Sequence, residues 1–218
     1  MLELFSVDEP ELTLTELTAR MGLTKATAHR YATALRRAGL LRTSHGLYSL
    51  GPRVVELAAA ALAGLGVIRV AEPYMLRLVT DTGQTTVLSV WDGEAPVVVR
   101  VAENRERLVR VVVTPGARLP ADSAQGKVFR TFLGEGDDPD LESVRSDQLA
   151  ANAVVMEGVT AVAAPVFQGA EIVATLALVG TSAGIETDAH STMAVALRDA
   201  ARGLSTELGF VESRLEAG

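Results

Sequence analysis

Over its first fifty residues the chain alternates between helical and strand-like spacing of its apolar positions. Ala28, Tyr31, Ala32 and Leu35 recur at helical intervals and form one narrow stripe, whereas Ala26, Arg30 and Thr33 fall on the opposite side of the same cylinder. This helix starts after Thr24, which is placed as its N-cap, and stops at Ala38-Gly39. The small residues Ala26, Thr27 and Ala28 leave its first turn slim enough to enter a groove. A shorter helix precedes it. Thr13-Leu14-Thr15-Glu16 fits a capping box, Leu14, Leu17 and Met21 make the buried stripe, and Gly22 ends the helix. Residues 1–6 read as the tail of a further helix. Two short helices about a glycine turn predict a helix-turn-helix. Leu40–Thr43 and Leu47–Leu50 then read as strands around Ser44-His45-Gly46, a wing with Arg42, Ser44 and His45 at its tip. His45 is there either to reach a phosphate or minor groove, or as a plain turn residue.

Beyond the wing, Gly51-Pro52-Arg53 opens an Ala-rich helix from Val54 to about Val70, on which Ala58, Leu62 and Leu65 could line a seam. It reads as a linker that joins two protomers, with an intradomain core helix as the alternative. From Pro73 the pattern becomes mixed: a short helix around Tyr74 to Val79, then strands over 85–91, 96–102 and 107–113. A helix over 123–133, an acidic loop, a short helix over 141–150, an apolar hairpin over 159–167 and 172–180, and a closing helix over 187–208 complete the chain. Strands flanked by helices in this order predict an α+β domain on an antiparallel sheet. The expected organisation is a DNA-binding domain over 1–52, a linker over 53–72 and a second domain over 73–218.

Charge sharpens this picture. Between Leu17 and Val55 there is no acidic residue, yet Arg20, Lys25, Arg30, Arg36, Arg37, Arg42 and Arg53 are basic, in a chain whose net charge is −7. A basic island in an acidic protein is the footprint of phosphate contact, the alternative being a solvated basic helix face. Aromatic residues make up only 4% against 48% hydrophobic residues overall, so the cores must be built from Ala, Val and Leu. The absence of cysteine excludes disulfides and thiol nucleophiles and is compatible with a cytoplasmic location. The N-terminus does not read as a signal peptide, and the apolar stretch Val54–Val70 is interrupted by Glu56, Gly64, Gly66 and Arg69, so no membrane span is expected.

Taken together, Leu12–Leu17, Gly22–Arg30, Gly39-Leu40-Leu41, Tyr48–Gly51, Ala124–Lys127 and Gly158–Phe167 resemble the IclR family of bacterial transcription regulators. The resemblance runs over nearly the whole chain, and the block over 22–30 is its specific part. It implies a winged helix-turn-helix, a linker helix and a GAF-like effector-binding domain, assembled as a dimer or a dimer of dimers. The family usually carries more residues before the equivalent of Leu2, so the first helix looks clipped and Met1 is a candidate for a misassigned start.

The resemblance also places the effector pocket, where the start of the 124–127 helix faces the two C-terminal strands. Asp122 or Ser123 would cap this helix, leaving the amides of Ala124, Gln125 and Gly126 for an anionic ligand. The strand positions Ala161, Ala163, Pro165, Ala177 and Val179 complete the expected lining. Ala161, Ala177 and Val179 stand where some small-acid-binding members have polar residues, and the segment 152–155 reads Asn-Ala-Val-Val where many are acidic. A drier pocket favours a bulkier effector, an aromatic or alkyl acid, although the same residues could be ordinary core.

On the DNA side the candidates are Thr24, Lys25, Ala26, Thr27, His29, Arg30, Arg36, Arg42 and His45. Arg30 is the candidate for a guanine contact, Ala26 and Thr27 for close fit to base edges, and Lys25, Arg36 and Arg42 for phosphates. The partners expected are a pseudo-palindromic double-stranded operator, a small-molecule effector and a second copy of the chain. His29, His45 and His190 have no metal-binding spacing, Ser123 has no evident base, and no phosphate loop is present, so neither cofactor nor catalysis is expected. A ligand-controlled repressor is the leading reading. A small-molecule enzyme or an interaction module with a vestigial DNA-binding domain is the alternative.

Overall fold

The computed structural model describes residues 1–7, 9–104, 111–134 and 139–209, which fall into two compact units, Met1–Leu65 and Gly66–Gly218. In the first unit, a single 3-10 turn at Leu2–Leu4 stands where the tail of a helix was expected. Strand β1 (Glu11–Thr13) runs into helix α1 (Leu14–Met21), whose capping box is formed: Thr13 Oγ1 accepts from Glu16 N–H at 3.2 Å and Glu16 Oε2 accepts from Thr13 N–H at 2.7 Å. Gly22, at φ +61°, ends α1 in the left-handed region. Helix α2 (Lys25–Arg37) starts on the Thr24 cap, and the wing strands β2 (Leu41–Ser44) and β3 (Leu47–Leu50) follow. The sheet has three strands in the order β1-β3-β2, because β1, a three-residue strand too short to show in the hydrophobic pattern, pairs with β3.

The core of this unit is Phe5, Leu12, Leu17, Ala32, Leu41 and Tyr48. Two expectations need correction. On α2 only Ala28 and Ala32 are buried, and Tyr31 is 48% exposed: two alanines let the neighbouring packing come close, and a ring on the flank of the stripe is left outside. On α1 only Leu17 is fully buried.

Helix α3 (Pro52–Gly64) begins where β3 ends, and this junction is tight. Gly51 N–H donates to Leu40 O at 2.8 Å and Arg53 N–H to Gly39 O at 3.2 Å. A Cβ at Gly51 would collide with the backbone of Gly39 and Leu40, so only glycine fits there.

The single helix expected over 54–70 is two. α3 ends at Leu65, which is extended at φ −85° and ψ 91°, and α4 (Gly66–Thr82) starts anew and runs through Pro73. Gly64 and Gly66 flank the break, and their weak helix propensity explains why an apolar run did not stay continuous.

In the second unit β4 (Thr85–Trp91) and β5 (Pro96–Ala102) form a hairpin around Asp92-Gly93. Helix α5 (Ala124–Leu133) and helix α6 (Pro139–Asp147) follow, then β6 (Ala150–Met156), β7 (Val159–Gln168), β8 (Glu171–Thr181) and α7 (Thr192–Glu207). The five strands pair antiparallel in the order β5-β4-β8-β7-β6. Alternation sends Val87, Ala163 and Ala177 to the face packed by Ala124 and Val128 of α5 and Val144 of α6. The other face is covered by α4 and α7, which pack on each other and on β4 and β7.

Here too the sequence reading is corrected. β6 was not foreseen, and α7 starts at Thr192 on a Ser191 cap rather than at Thr187. The strand expected over 107–113 lies largely outside the described residues, and its described end, 111–113, is not strand.

Candidate nucleic-acid interface and effector site

Helix α2 presents Lys25, Ala26, His29, Arg30, Arg36 and Arg37 to solvent, while Thr27 is half-buried against Thr24, whose Oγ1 accepts its amide at 3.3 Å. Capping leaves Thr24 exposed at the very start of the helix, where an incoming phosphate would meet the remaining amides. Lys25, Arg30, Arg36 and Arg37 have no ion-pair partner among the described residues, whereas two other cations of the basic island do. Arg20 is held in a two-pronged pair by Glu9 at 2.7 and 2.8 Å, which keeps the Glu9 carboxyl below its usual range, and Arg53 pairs with Glu56.

Arg42 is not at the wing tip. It lies within β2, its Nε donating to Ser49 Oγ at 2.9 Å across the hairpin, and is exposed. The tip is His45-Gly46, where His45 takes φ +51° and its Nδ1 lies 2.9 Å from Ser44 Oγ. The signal for this was present in the sequence, since a four-residue strand beginning at Leu41 carries position 42 well short of the turn.

At the start of α5, Ser123 rather than Asp122 is the cap: its Oγ accepts from Gly126 N–H at 3.1 Å. Gly126 is therefore not available to a ligand, and only the amides of Ala124 and Gln125, in the first turn, lack an intrahelical acceptor. Asp122 is exposed, and its carbonyl accepts from Asn152 Nδ2 at 3.2 Å, tying α5 to the β6 edge. A Cβ at Gly126 would strike the Ala121 backbone, so the approach loop packs on the helix as closely as glycine allows.

Ala124, Ala163, Ala177, Val179 and the partly buried Ala161 come together in one apolar cluster. Gln125 is 3% exposed and its carboxamide has no hydrogen-bond partner among the described residues. Pro165 pairs with Thr175 and by alternation falls on this same face of the sheet, while also bordering a small cleft near α7. Of the segment 152–155, only the Asn152 side chain lies within the described residues.

Sequence reasoning missed two hydroxyls on this same face. Ser89 and Thr175 are cross-strand partners of β4 and β8, two residues along from Val87 and Ala177, fully buried, and neither has a hydrogen-bond partner among the described residues. The alternation of β8 would have revealed Thr175.

The loop leading into α5 is fastened by Arg118, whose Nε lies 2.8 Å from Asp92 Oδ2 and whose Nη2 lies 2.7 Å from Glu94 Oε2. Hydrogen bonding to Arg118 is the main cause that lowers the Asp92 carboxyl to about 2. Among the described residues no group of three His, Cys, Asp or Glu side chains is arranged for a metal, and no single helix is long and apolar enough to cross a membrane.

A winged helix-turn-helix with an unpaired basic face, followed by an antiparallel-sheet domain, defines the class of a DNA-binding regulator. The chain matches the IclR helix-turn-helix domain over residues 1–45 and the bacterial transcriptional regulator IclR C-terminal domain over residues 59–155. It belongs to the IclR family of bacterial transcriptional regulators, a family of regulators and not of enzymes.

It is 31% identical to the transcriptional regulator XynR of Escherichia coli over 141 residues, which are 63% of this chain and 55% of that protein. It is 25% identical to the regulator KipR of Bacillus subtilis over 238 residues, 96% of this chain and 94% of the other. The chain thus spans about half the length of the one relative and nearly all of the other. The crystal structure of an IclR homolog of Microbacterium hydrocarbonoxydans complexed with 4-hydroxybenzoate shares the fold, with a TM-score of 0.75 at 24% identity over 95% of each chain.

Proposed function

We propose that this protein is a cytoplasmic repressor that binds a pseudo-palindromic operator as a homodimer or dimer of dimers and is controlled by a small, fairly apolar organic acid. The observation that carries the reading is the exposed face of α2, where Lys25, Ala26, His29, Arg30 and Arg36 stand clear of any ion pair among the described residues. Arg30 reads a guanine edge, Ala26 and Thr27 fit close to base edges, and Lys25, Arg36 and Arg42 hold phosphates. Thr24 and His29 flank the entry to the groove, and His45 reaches the backbone from the wing tip.

Two copies associate through α3, which buries none of its own residues within the chain and exposes Val55, Leu57 and Leu62. The linker role assigned to 53–72 is then shared between α3 and the first turns of α4.

The effector lies at the start of α5, its acid on the amides of Ala124 and Gln125 beside the Ser123 cap and Asp122, its body against Ala161, Ala163, Ala177 and Val179. The 4-hydroxybenzoate held by the Microbacterium homolog is an acid of this class. Binding shifts the population between arrangements of the paired DNA-binding units.

Gel shifts on DNA flanking the protein's own gene, with and without 4-hydroxybenzoate and related acids, test this. Specific retardation that the acid changes is expected; equal retention of promoter and random duplex would overturn the proposal. Arg30→Ala should lose preference at one base step, while Lys25→Ala should weaken all sequences and lower the salt slope by about one unit.

A further inference from the structure

Helix α2 sorts its exposed side chains by chemistry. Helical spacing puts Ala26, Arg30 and Arg37 on one line, turned away from the buried Ala28 and Ala32. On one flank of that line lie Lys25, His29 and Arg36, all exposed. On the other lie Thr27 and Tyr31, four residues apart, with Thr24 a turn before them. The first flank is basic, while the second carries hydroxyls and no charge.

Tyr31 is the anomaly on this helix. It is 48% exposed and is the one exposed aromatic side chain among the described residues. The other two tyrosines are engaged: Tyr48 lies in the core of its unit, and Tyr74 donates its hydroxyl to Glu207 Oε2 at 2.9 Å. The Tyr31 hydroxyl has no hydrogen-bond partner among the described residues. Thr24 and Thr27 have already met, their Oγ1 atoms lying 3.0 Å apart, and Thr24 also caps the helix. Tyr31 is therefore the flank's uncommitted donor.

A major groove about 12 Å wide receives a helix about 10–12 Å across with little room to spare. With Ala26, Arg30 and Arg37 turned to the base edges, each flank meets a different sugar–phosphate strand. Resting on the reading of α2 as the groove-binding helix, we infer that it grips these two strands by different means. Lys25 and Arg36, with His29 between them, hold one strand by charge. Tyr31 holds the other by donating its hydroxyl to a phosphate oxygen. Its ring has only two side-chain torsions to fix, so the bond costs little conformational freedom. A neutral donor releases no counterion, so this contact adds affinity without adding salt dependence.

The test uses the full chain and a duplex that it selects from a random-sequence pool. Tyr31→Phe removes one exposed oxygen and should leave the thermal midpoint unchanged. It should weaken binding about three- to tenfold, on the selected and a scrambled duplex alike, at an unchanged salt slope. Lys25→Gln should instead lower that slope by about one unit. Methylphosphonate placed at single phosphates then maps the strands. The positions that narrow the gap between parent and Tyr31→Phe should lie on the strand opposite those that narrow the gap for Lys25→Gln. Parent-like binding by Tyr31→Phe, a lowered salt slope, a loss confined to the selected sequence, or mapping of both gaps to one strand would overturn the inference. Parent-like binding by Arg30→Ala and Lys25→Gln would instead sink the reading of α2 on which it rests.

Discussion

At Ser89 and Thr175 the sheet buries two hydroxyls that find no partner among the described residues, whereas Ser123 uses its hydroxyl to cap α5. A buried polar group without a hydrogen bond carries its desolvation cost uncompensated, so Thr175→Val, which keeps the shape, should stabilise the protein by about 1 kcal/mol. Thermal unfolding should then shift up by about 2–4 °C for a chain of this size, and Ser89→Ala should move in the same direction. A lowered midpoint for both would mean that the hydroxyls are satisfied in solution.

Asp92 behaves oppositely, since Arg118 holds its carboxyl down at about 2. Because the folded value lies below the unfolded one, the ion pair contributes fully above the ordinary aspartate range, near pH 4, and its contribution is lost as pH falls toward 2. The pair is partly exposed, with Asp92 at 33% and Arg118 at 52%, so the effect is small. The stability gap between parent and Asp92→Asn, measured by urea unfolding, should be present at pH 5 and shrink on acidification; a constant gap would rule this out. Alternation along β8 could have pointed to Thr175, but Ser89 and Asp92 gave no sign of their roles, because cross-strand register and the fold of the approach loop decide which neighbours they meet. Tyr31 misled for a related reason: helical spacing reports direction, and the depth of burial depends on how closely the next element approaches.

Among the elements, those whose ends are encoded locally were legible. The Thr13–Glu16 box, the Thr24 cap and the Gly22 terminator each need only residues within one turn, and each stands where the sequence places it; the cap of α5 was open between Asp122 and Ser123, and Ser123 takes it. Ser123→Ala should therefore cost about 1 kcal/mol, read as a lower denaturation midpoint, and Ser123→Asp should restore most of it. Elements defined by partners were not legible. β1 is three residues long and exists because β3 offers it an edge, and β6 is fixed by its pairing with β7. The apolar run through 54–70 carried no sign of its interruption except Gly64 and Gly66, which an isolated reading tolerates inside a helix. The start of α7 was displaced because Thr187-Asp188 is as good a cap by composition as Ser191.

For the whole molecule, the basic amino-terminal region, the acidic remainder and the family resemblance were enough to anticipate a DNA-binding head and an antiparallel-sheet domain, and the family match agrees. The apolar surface of α3 is where assembly should be decided. Val55 and Leu57 are 71% and 50% exposed, so replacing both with Glu should leave the fold of one chain intact. Sedimentation should then show a smaller species, with weaker retention of operator DNA; unchanged mass and unchanged retention would move the interface elsewhere.

The junction at Gly51 bears on what such an assembly can transmit. Its backbone lies directly against Gly39 at the end of α2, with no side chain between them, and two backbone hydrogen bonds, Gly51 N–H to Leu40 O and Arg53 N–H to Gly39 O, close the gap. The reading helix and α3 are thereby joined like two arms of a crank rather than two beads on a string. A twist applied along α3 reaches α2 without slack, so if two copies associate through α3 as proposed, even a modest change in their grip would re-aim the exposed face of α2.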